Sequence, residues 1–191
     1  MTHEPLPDTA AGTKPPLTPD ALLAQLERWD IGFVQHAHPP VFTVAESAEL
    51  KAAIPGAHTK NLFLKDKGGA LFLFSVAADA VVDLPGLGRA LQTKGRLSFA
   101  SPEALWERLG VRPGAVSAFA LVNDAEQRVR FLLDAALLQA PRVYFHPLHN
   151  EATIGVTPAG LLRFLERLGR APALVALATD CAPRLIGAAA H

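Results

Sequence analysis

The sequence predicts an α/β fold, a mixed and partly barrel-like β-sheet surrounded by helices. Apolar runs of strand length recur at Leu62–Leu64, Leu71–Val76, Val116–Val122, Val129–Leu133, Arg142–Phe145 and Thr153–Val156, several of them bounded by Gly, Asn, Asp or Lys clusters. Helix starts of the Ser/Thr-Pro type appear at Thr18-Pro19, Ser101-Pro102 and Thr157-Pro158, where the hydroxyl caps the helix and proline fills its first position. The two kinds of segment are interspersed without strict βαβ alternation, which disfavours a doubly wound sheet.

In chain order, residues 1–16 hold four prolines and no apolar periodicity, so they are expected to form a flexible N-terminal arm. A single domain is expected over 17–178 and a C-terminal tail over 179–191. The first helix follows Thr18, with Leu22, Leu23, Leu26 and Trp29 on its apolar face, and stops near Asp30-Ile31-Gly32. Short extended pieces are expected at Phe33–Ala37 and Val41–Val44, then a helix over Ala45–Ala53. Leu62–Leu64 and Leu71–Val76 read as a hairpin through Lys65-Asp66-Lys67-Gly68-Gly69. Helices are predicted through Leu87–Gln92 and from Ser101 to a stop at Gly110, and strands at 116–122 and 129–133 around the turn residues Asn123-Asp124. The last helix buries Leu161, Leu162, Phe164, Leu165 and Leu168.

Composition excludes several classes of function. Eighteen basic and eighteen acidic residues cancel, so no global field grips long stretches of nucleic-acid phosphate, and contact with RNA must be local. No helix-turn-helix or zinc pattern suggests sequence-specific DNA binding. No apolar run approaches the roughly 20 residues that span a bilayer, and the N-terminus lacks a basic-then-apolar signal, so a cytoplasmic protein without membrane contact is expected. The single cysteine, Cys181, leaves no internal disulfide, and neither a cysteine nucleophile nor a structural zinc is expected. Phosphate-loop, dinucleotide, His-Glu-x-x-His and nucleophile-elbow motifs are absent.

Three segments could carry chemistry. Gly56 to Asp66 sets Lys60 and Asn61 at the start of a core strand, with His58 and Thr59 just before them; a solvated strand-end lysine is the plain alternative. Phe145-His146-Pro147-Leu148-His149-Asn150 follows another strand, and His146 there also reads as a satisfied structural histidine. His58, His146 and His149 fit no common zinc spacing, so neither metal nor cofactor is expected. Gly110 to Phe119 is a glycine-bearing loop running into a strand, suited to present backbone N–H groups to an anion or carbonyl oxygen, or simply to connect two elements.

With His38-Pro39-Pro40-Val41-Phe42, Leu97-Ser98-Phe99-Ala100 and Leu121-Val122-Asn123-Asp124 added in order, the chain resembles the freestanding prolyl-tRNA editing proteins. These are YbaK-like relatives of the editing insertion domain of many bacterial prolyl-tRNA synthetases, and the likeness is greatest to the branch that deacylates alanyl-tRNA(Pro). It covers about residues 18 to 170. The resemblance implies a YbaK-like editing domain, catalytic roles for Lys60, Asn61, His146 and Gly114, and substrate contacts by His58, Thr59, Ala115, Val116, Ser117 and Phe119. Lys60 matches the family lysine that engages the terminal adenosine and its phosphate, and Gly114–Ala118 matches the loop that holds the aminoacyl end, although related branches often have proline where this chain has Ala118. The implied partners are the acceptor end of tRNA(Pro) and prolyl-tRNA synthetase. An aminoacyl ester is already activated, so its hydrolysis needs a placed water, oxyanion stabilisation and an oriented ribose rather than a metal. Deacylation of another mischarged product, such as cysteinyl-tRNA(Pro), and binding of a tRNA end without turnover are the competing expectations.

Overall fold

The structure is a computed structural model that describes residues 15–40, 54–177 and 183–186. The strand expected at Val41–Val44, the helix expected at Ala45–Ala53, Cys181 and most of the arm lie outside the described residues.

Helix α1 (Pro19–Arg28) starts as its sequence dictates, with Thr18 Oγ1 accepting from the Ala21 N–H and Leu22 and Leu26 turned inward. Strand β1 (Phe33–Ala37) follows, then β2 (Ala57–Lys65) and β3 (Leu71–Ala77), which form the expected antiparallel hairpin. Helix α2 (Leu84–Leu91), the short β4 (Ser98–Phe99) and α3 (Pro102–Leu109) come next. Helix α3 is capped by Ser101 and ends at Gly110, whose left-handed φ of 62° suits glycine. Strands β5 (Val129–Asp134), β6 (Val143–Phe145) and β7 (Ala152–Val156) lead to α4 (Pro158–Arg167), which Thr157 caps, and to β8 (Ala173–Ala176) and β9 (Arg184–Ile186).

The nine strands of the described residues join one mixed sheet in the order β1-β7-β6-β2-β3-β5-β8-β9, with β4 also on β2. The fold is mixed α/β, a large sheet with helices on it. Alternation of side chains divides its core. Ala57 and Phe63 of β2, Leu73 of β3, Phe131 and Leu133 of β5, Val143 and Phe145 of β6, and Ile154 and Val156 of β7 share the larger core with α1, α3 and α4. Leu62, Leu64, Phe72, Phe74, Val76 and Leu132 build a smaller core on the opposite face, under α2.

The run Val116–Val122 is a 3-10 helix over Ala118–Asn123 rather than a strand. A continuous apolar run does not distinguish a buried strand from a buried helix, and Ser117 decides here by accepting the Phe119 N–H at 3.1 Å, a local cap that competes with sheet pairing. On α4, Leu161, Phe164 and Leu165 are buried, but Leu162 is exposed, one position off the inward stripe. Strands β4, β8 and β9 and a 3-10 turn at Ala135–Gln139 escape the sequence reading because each is short.

Candidate active site

Strand β2 runs from Ala57, so Lys60 and Asn61 lie in its middle rather than at its start. The apolar signal begins only at Leu62, yet β3 pairs with the polar half as well, Lys60 opposite Val76 and Asn61 opposite Ser75. Tertiary pairing thus extends the strand past its own hydrophobic pattern.

The other edge of β2 is interrupted. Among the described residues it pairs with β6 only through Ala57 and His58, and with β4 only through Leu64 and Lys65, which leaves an opening beside Asn61 between β6 and β4. Antiparallel pairing alternates the direction of backbone polar groups. The His58 carbonyl accepts from Ala78 on the β3 side, whereas the Phe63 carbonyl accepts from Ala100 on the β4 side. By that alternation the N–H and C=O of Asn61 point into the opening. Ladder groups directed there are available to a ligand.

Lys60 and Asn61, as neighbours in a strand, project from opposite faces. Lys60 shares the face of His58, and its ammonium donates to the carbonyl of Ala80. Beyond the smaller core, this face continues as a polar strip. The His58 ring stacks on Tyr144 at 5.1 Å and bonds the Ile54 carbonyl, and His36 approaches Tyr144 at 5.9 Å. At the far end of the strip the His38 and His146 rings lie 6.0 Å apart, and His38 Nε2 bonds Thr153 Oγ1 at 3.0 Å.

His146 has a defined tautomer. Nδ1 lies 2.9 Å from the Ala152 carbonyl, which can only accept, so Nδ1 carries the proton and Nε2 is left as the acceptor. Burial lowers its pKa; the positive potential of His38 and His149 adds to that, and the bond to Ala152 opposes it. A neutral imidazole results, with Nε2 free to accept a hydrogen bond but weakly basic. Among the described residues no group of three His, Cys, Asp or Glu side chains is placed to hold a metal.

Asn61 occupies the larger-core face with Thr59 and Ser75. Ser75 Oγ lies 2.6 Å from Asn61 Oδ1, Asn61 Nδ2 lies 3.4 Å from Thr59 Oγ1, and Thr59 Oγ1 donates to the Tyr144 carbonyl at 2.8 Å. Gly114 has φ 92°, a left-handed backbone held by the turn in which the Ala115 N–H donates to Arg112, and its Cα faces the Asn150 amide. The residues after it that are expected to contact substrate differ in depth. Ser117 and Phe119 are fully buried and Ala115 nearly so. The Ser117 hydroxyl serves as a cap, and Phe119 packs edge-on to Phe145 and Phe164 at 5.5 and 5.0 Å, so both are core residues; Val116 alone of this group is half-buried.

The structure therefore gathers Lys60, His58 and His146 on one face and Thr59 and Asn61 on the other, with the opening in β2 between them. The sequence reading did not single out Ser75, Tyr144 or Thr153 as site neighbours. A lone serine within the apolar run Leu71–Val76 was the signal for the first of these.

The aminoacyl-tRNA editing domain profile matches residues 38–164, from His38 into α4 and including β2, the Gly114 turn and His146. The chain belongs to the aminoacyl-tRNA editing domain family. This editing domain is 42% identical over 158 residues to prolyl-tRNA synthetase associated domain-containing protein 1 of Xenopus laevis, an alignment covering 81% of this chain and 94% of that protein. It is 31% identical over 150 residues to the prolyl-tRNA editing protein ProX of Acetoanaerobium sticklandii, covering 78% and 91%. A crystal structure assigned as a candidate trans-editing enzyme for prolyl tRNA synthetase matches it with a TM-score of 0.60 at 26% identity, over 81% of this chain and 91% of that one.

Proposed function

We propose that this editing domain hydrolyses the ester of mischarged alanyl-tRNA(Pro), releasing alanine and a free 3′-terminal hydroxyl. The observation that carries the reading is the interrupted edge of β2, which turns the backbone N–H of Asn61 into a space flanked by Lys60 and His58 on one face and by the Asn61 amide on the other. The aminoacylated terminal adenosine enters this opening. Lys60 exchanges the Ala80 carbonyl for a phosphate oxygen, as a point charge suited to that group. N–H donors of Asn61 meet the ester carbonyl, whose oxygen gains negative charge as water adds.

His146 acts as an acceptor. Its Nε2 orients the attacking water or the ribose 2′-hydroxyl, and its low basicity suits it to positioning more than to full proton abstraction. Water adds to the carbonyl carbon, the bond from that carbon to the ribose 3′-oxygen breaks, and the 3′-oxygen takes up a proton. The ribose 2′-hydroxyl assists, which is consistent with the lack of a strong base among the described residues.

Size supplies the selectivity. A proline-sized synthetase pocket rejects the smaller alanine by only about 1 to 3 kcal/mol, so a second sieve that admits alanine and excludes proline completes the discrimination. Single-turnover deacylation of alanyl-tRNA(Pro) beside prolyl-tRNA(Pro) tests this. Loss of alanine with proline spared is the expected result. Preference for cysteinyl-tRNA(Pro) moves the substrate within the same chemistry, and binding without turnover of any aminoacyl-tRNA overturns the reading.

A further inference from the structure

The side-chain amide of Asn61 is held between two hydroxyls, and the direction of every hydrogen bond follows from one carbonyl. Tyr144 presents its backbone oxygen to Thr59 Oγ1 at 2.8 Å. A carbonyl only accepts, so Thr59 gives it the one hydroxyl proton and faces Asn61 as an acceptor. The corner of the Asn61 amide near Thr59 is therefore its NH2, at 3.4 Å. That turns Oδ1 toward Ser75, whose fully buried hydroxyl donates at 2.6 Å. A flipped amide would set the Asn61 oxygen against a Thr59 oxygen with no proton between them. One N–H of the Asn61 amide thus remains for a ligand, on a residue whose backbone N–H already faces the opening in β2.

We infer that Thr59 and Ser75 are positioning residues that lock the Asn61 amide in the orientation whose remaining N–H donates to the carbonyl oxygen of a bound aminoacyl ester. The inference rests on the editing function proposed above. It changes the part assigned to Thr59, which acts through Asn61 rather than on the substrate, and it adds Ser75, which lies too deep to touch one. The backbone of β6 thereby sets the orientation of a donor on β2.

Single-turnover deacylation of alanyl-tRNA(Pro) by the full chain tests this, comparing wild type with Thr59→Val, which keeps the shape and removes the hydroxyl, and Thr59→Ser, which keeps the hydroxyl. Asn61→Ala is expected to slow the reaction about 100-fold, the loss of one oxyanion donor. Thr59→Val should slow it about tenfold, the worth of one hydrogen bond, at unchanged half-saturation. Thr59→Ser should restore most of the rate, and Thr59→Val should add nothing on the Asn61→Ala background. A Thr59→Ser enzyme as slow as Thr59→Val, or an undiminished Thr59→Val effect without Asn61, overturns the inference.

Hydrogen exchange of the Asn61 side-chain amide, followed by NMR, reads the same arrangement without substrate. Protection is expected in wild type and Thr59→Ser, and its loss in Thr59→Val; equal exchange in all three also overturns the inference. If wild type hydrolyses no aminoacyl-tRNA, the editing reading falls, and this exchange measurement alone decides whether the amide is locked.

Discussion

Lys60 and His146 are the side chains whose environments make the sharpest statements. The Lys60 stem crosses a half-buried position in the middle of β2 before its ammonium reaches the Ala80 carbonyl, so truncation to alanine would mix lost packing with lost charge. Lys60→Met keeps the stem and removes the charge. It should cut single-turnover deacylation by about 100-fold, the scale for one well-placed electrostatic group, while circular dichroism and thermal melting stay near wild type. A rate within a few-fold of wild type would remove Lys60 from the chemistry. For His146, burial depresses the pKa, so the neutral acceptor persists to lower pH than an ordinary imidazole with a value of about 6.5. The acid limb of the rate profile should accordingly lie below that ordinary value, with activity present above the limb and lost as pH falls through it. Stability carries the same sign, because the unfolded chain takes up this proton first as the pH falls. His146→Gln should abolish the limb; a limb that stays would assign it to another group.

At the scale of elements, the hairpin turn between β2 and β3 is tied to the loop before β4 by one carboxylate. Asp66 accepts from the backbone N–H groups of Lys94 and Ala70, each at 2.9 Å. The bond from Lys94 is the main cause of its lowered pKa; burial opposes it, and the bonds from Ala70 and Gly68 reinforce it. Its stabilising effect is therefore present above the unfolded value near 3.9 and disappears as pH falls through the lower folded value. Asp66→Asn should be less stable than wild type at neutral pH, and urea melts should show the gap closing in acid. A gap that is constant with pH would mean the carboxylate charge has no part in holding the turn. The Gly114 turn is a second such joint. A methyl group there would meet Asn150 Nδ2 only at an ordinary 3.7 Å, so the cost of Gly114→Ala comes from the backbone φ of 92°, on the order of 1 to 3 kcal/mol. Its melting temperature should fall, and deacylation should slow beyond what the lost stability explains if the turn also presents the aminoacyl end.

For the molecule as a whole, one buried ion pair fastens the last helix to the sheet. Arg170 lies just after α4, and its guanidinium reaches Asp124 at 2.8 Å, with side-chain exposures of 6% and 2%. Asp124 also accepts from Arg128 and Val129 N–H groups, while Arg170 donates to the Val129 carbonyl. Removing one partner leaves a buried charge alone, so Arg170→Ala should cost about 3 to 5 kcal/mol and lower the melting temperature by about 10 °C. A loss below 1 kcal/mol would mean that water or a local shift compensates Asp124. In the sequence these two residues are 46 positions apart, and Asp124 reads only as a turn residue. That contrast holds across the protein. Local chemistry was legible in the sequence: Thr18, Ser101 and Thr157 cap their helices, Gly110 ends α3, and the runs at β2, β3, β5, β6 and β7 are strands, because caps, turns and alternation act over a few residues. Lys60, Asn61 and His146 stand out in the sequence for the same reason, as side chains in a recognisable string, and their roles belong to the proposal above. Tertiary structure alone decided that β2 reaches back to Ala57 past its apolar run, that Ser75 and Thr59 bracket Asn61, and that β2 stands open between β6 and β4. Each depends on which distant backbone supplies the next hydrogen bond, and no local pattern carries that information.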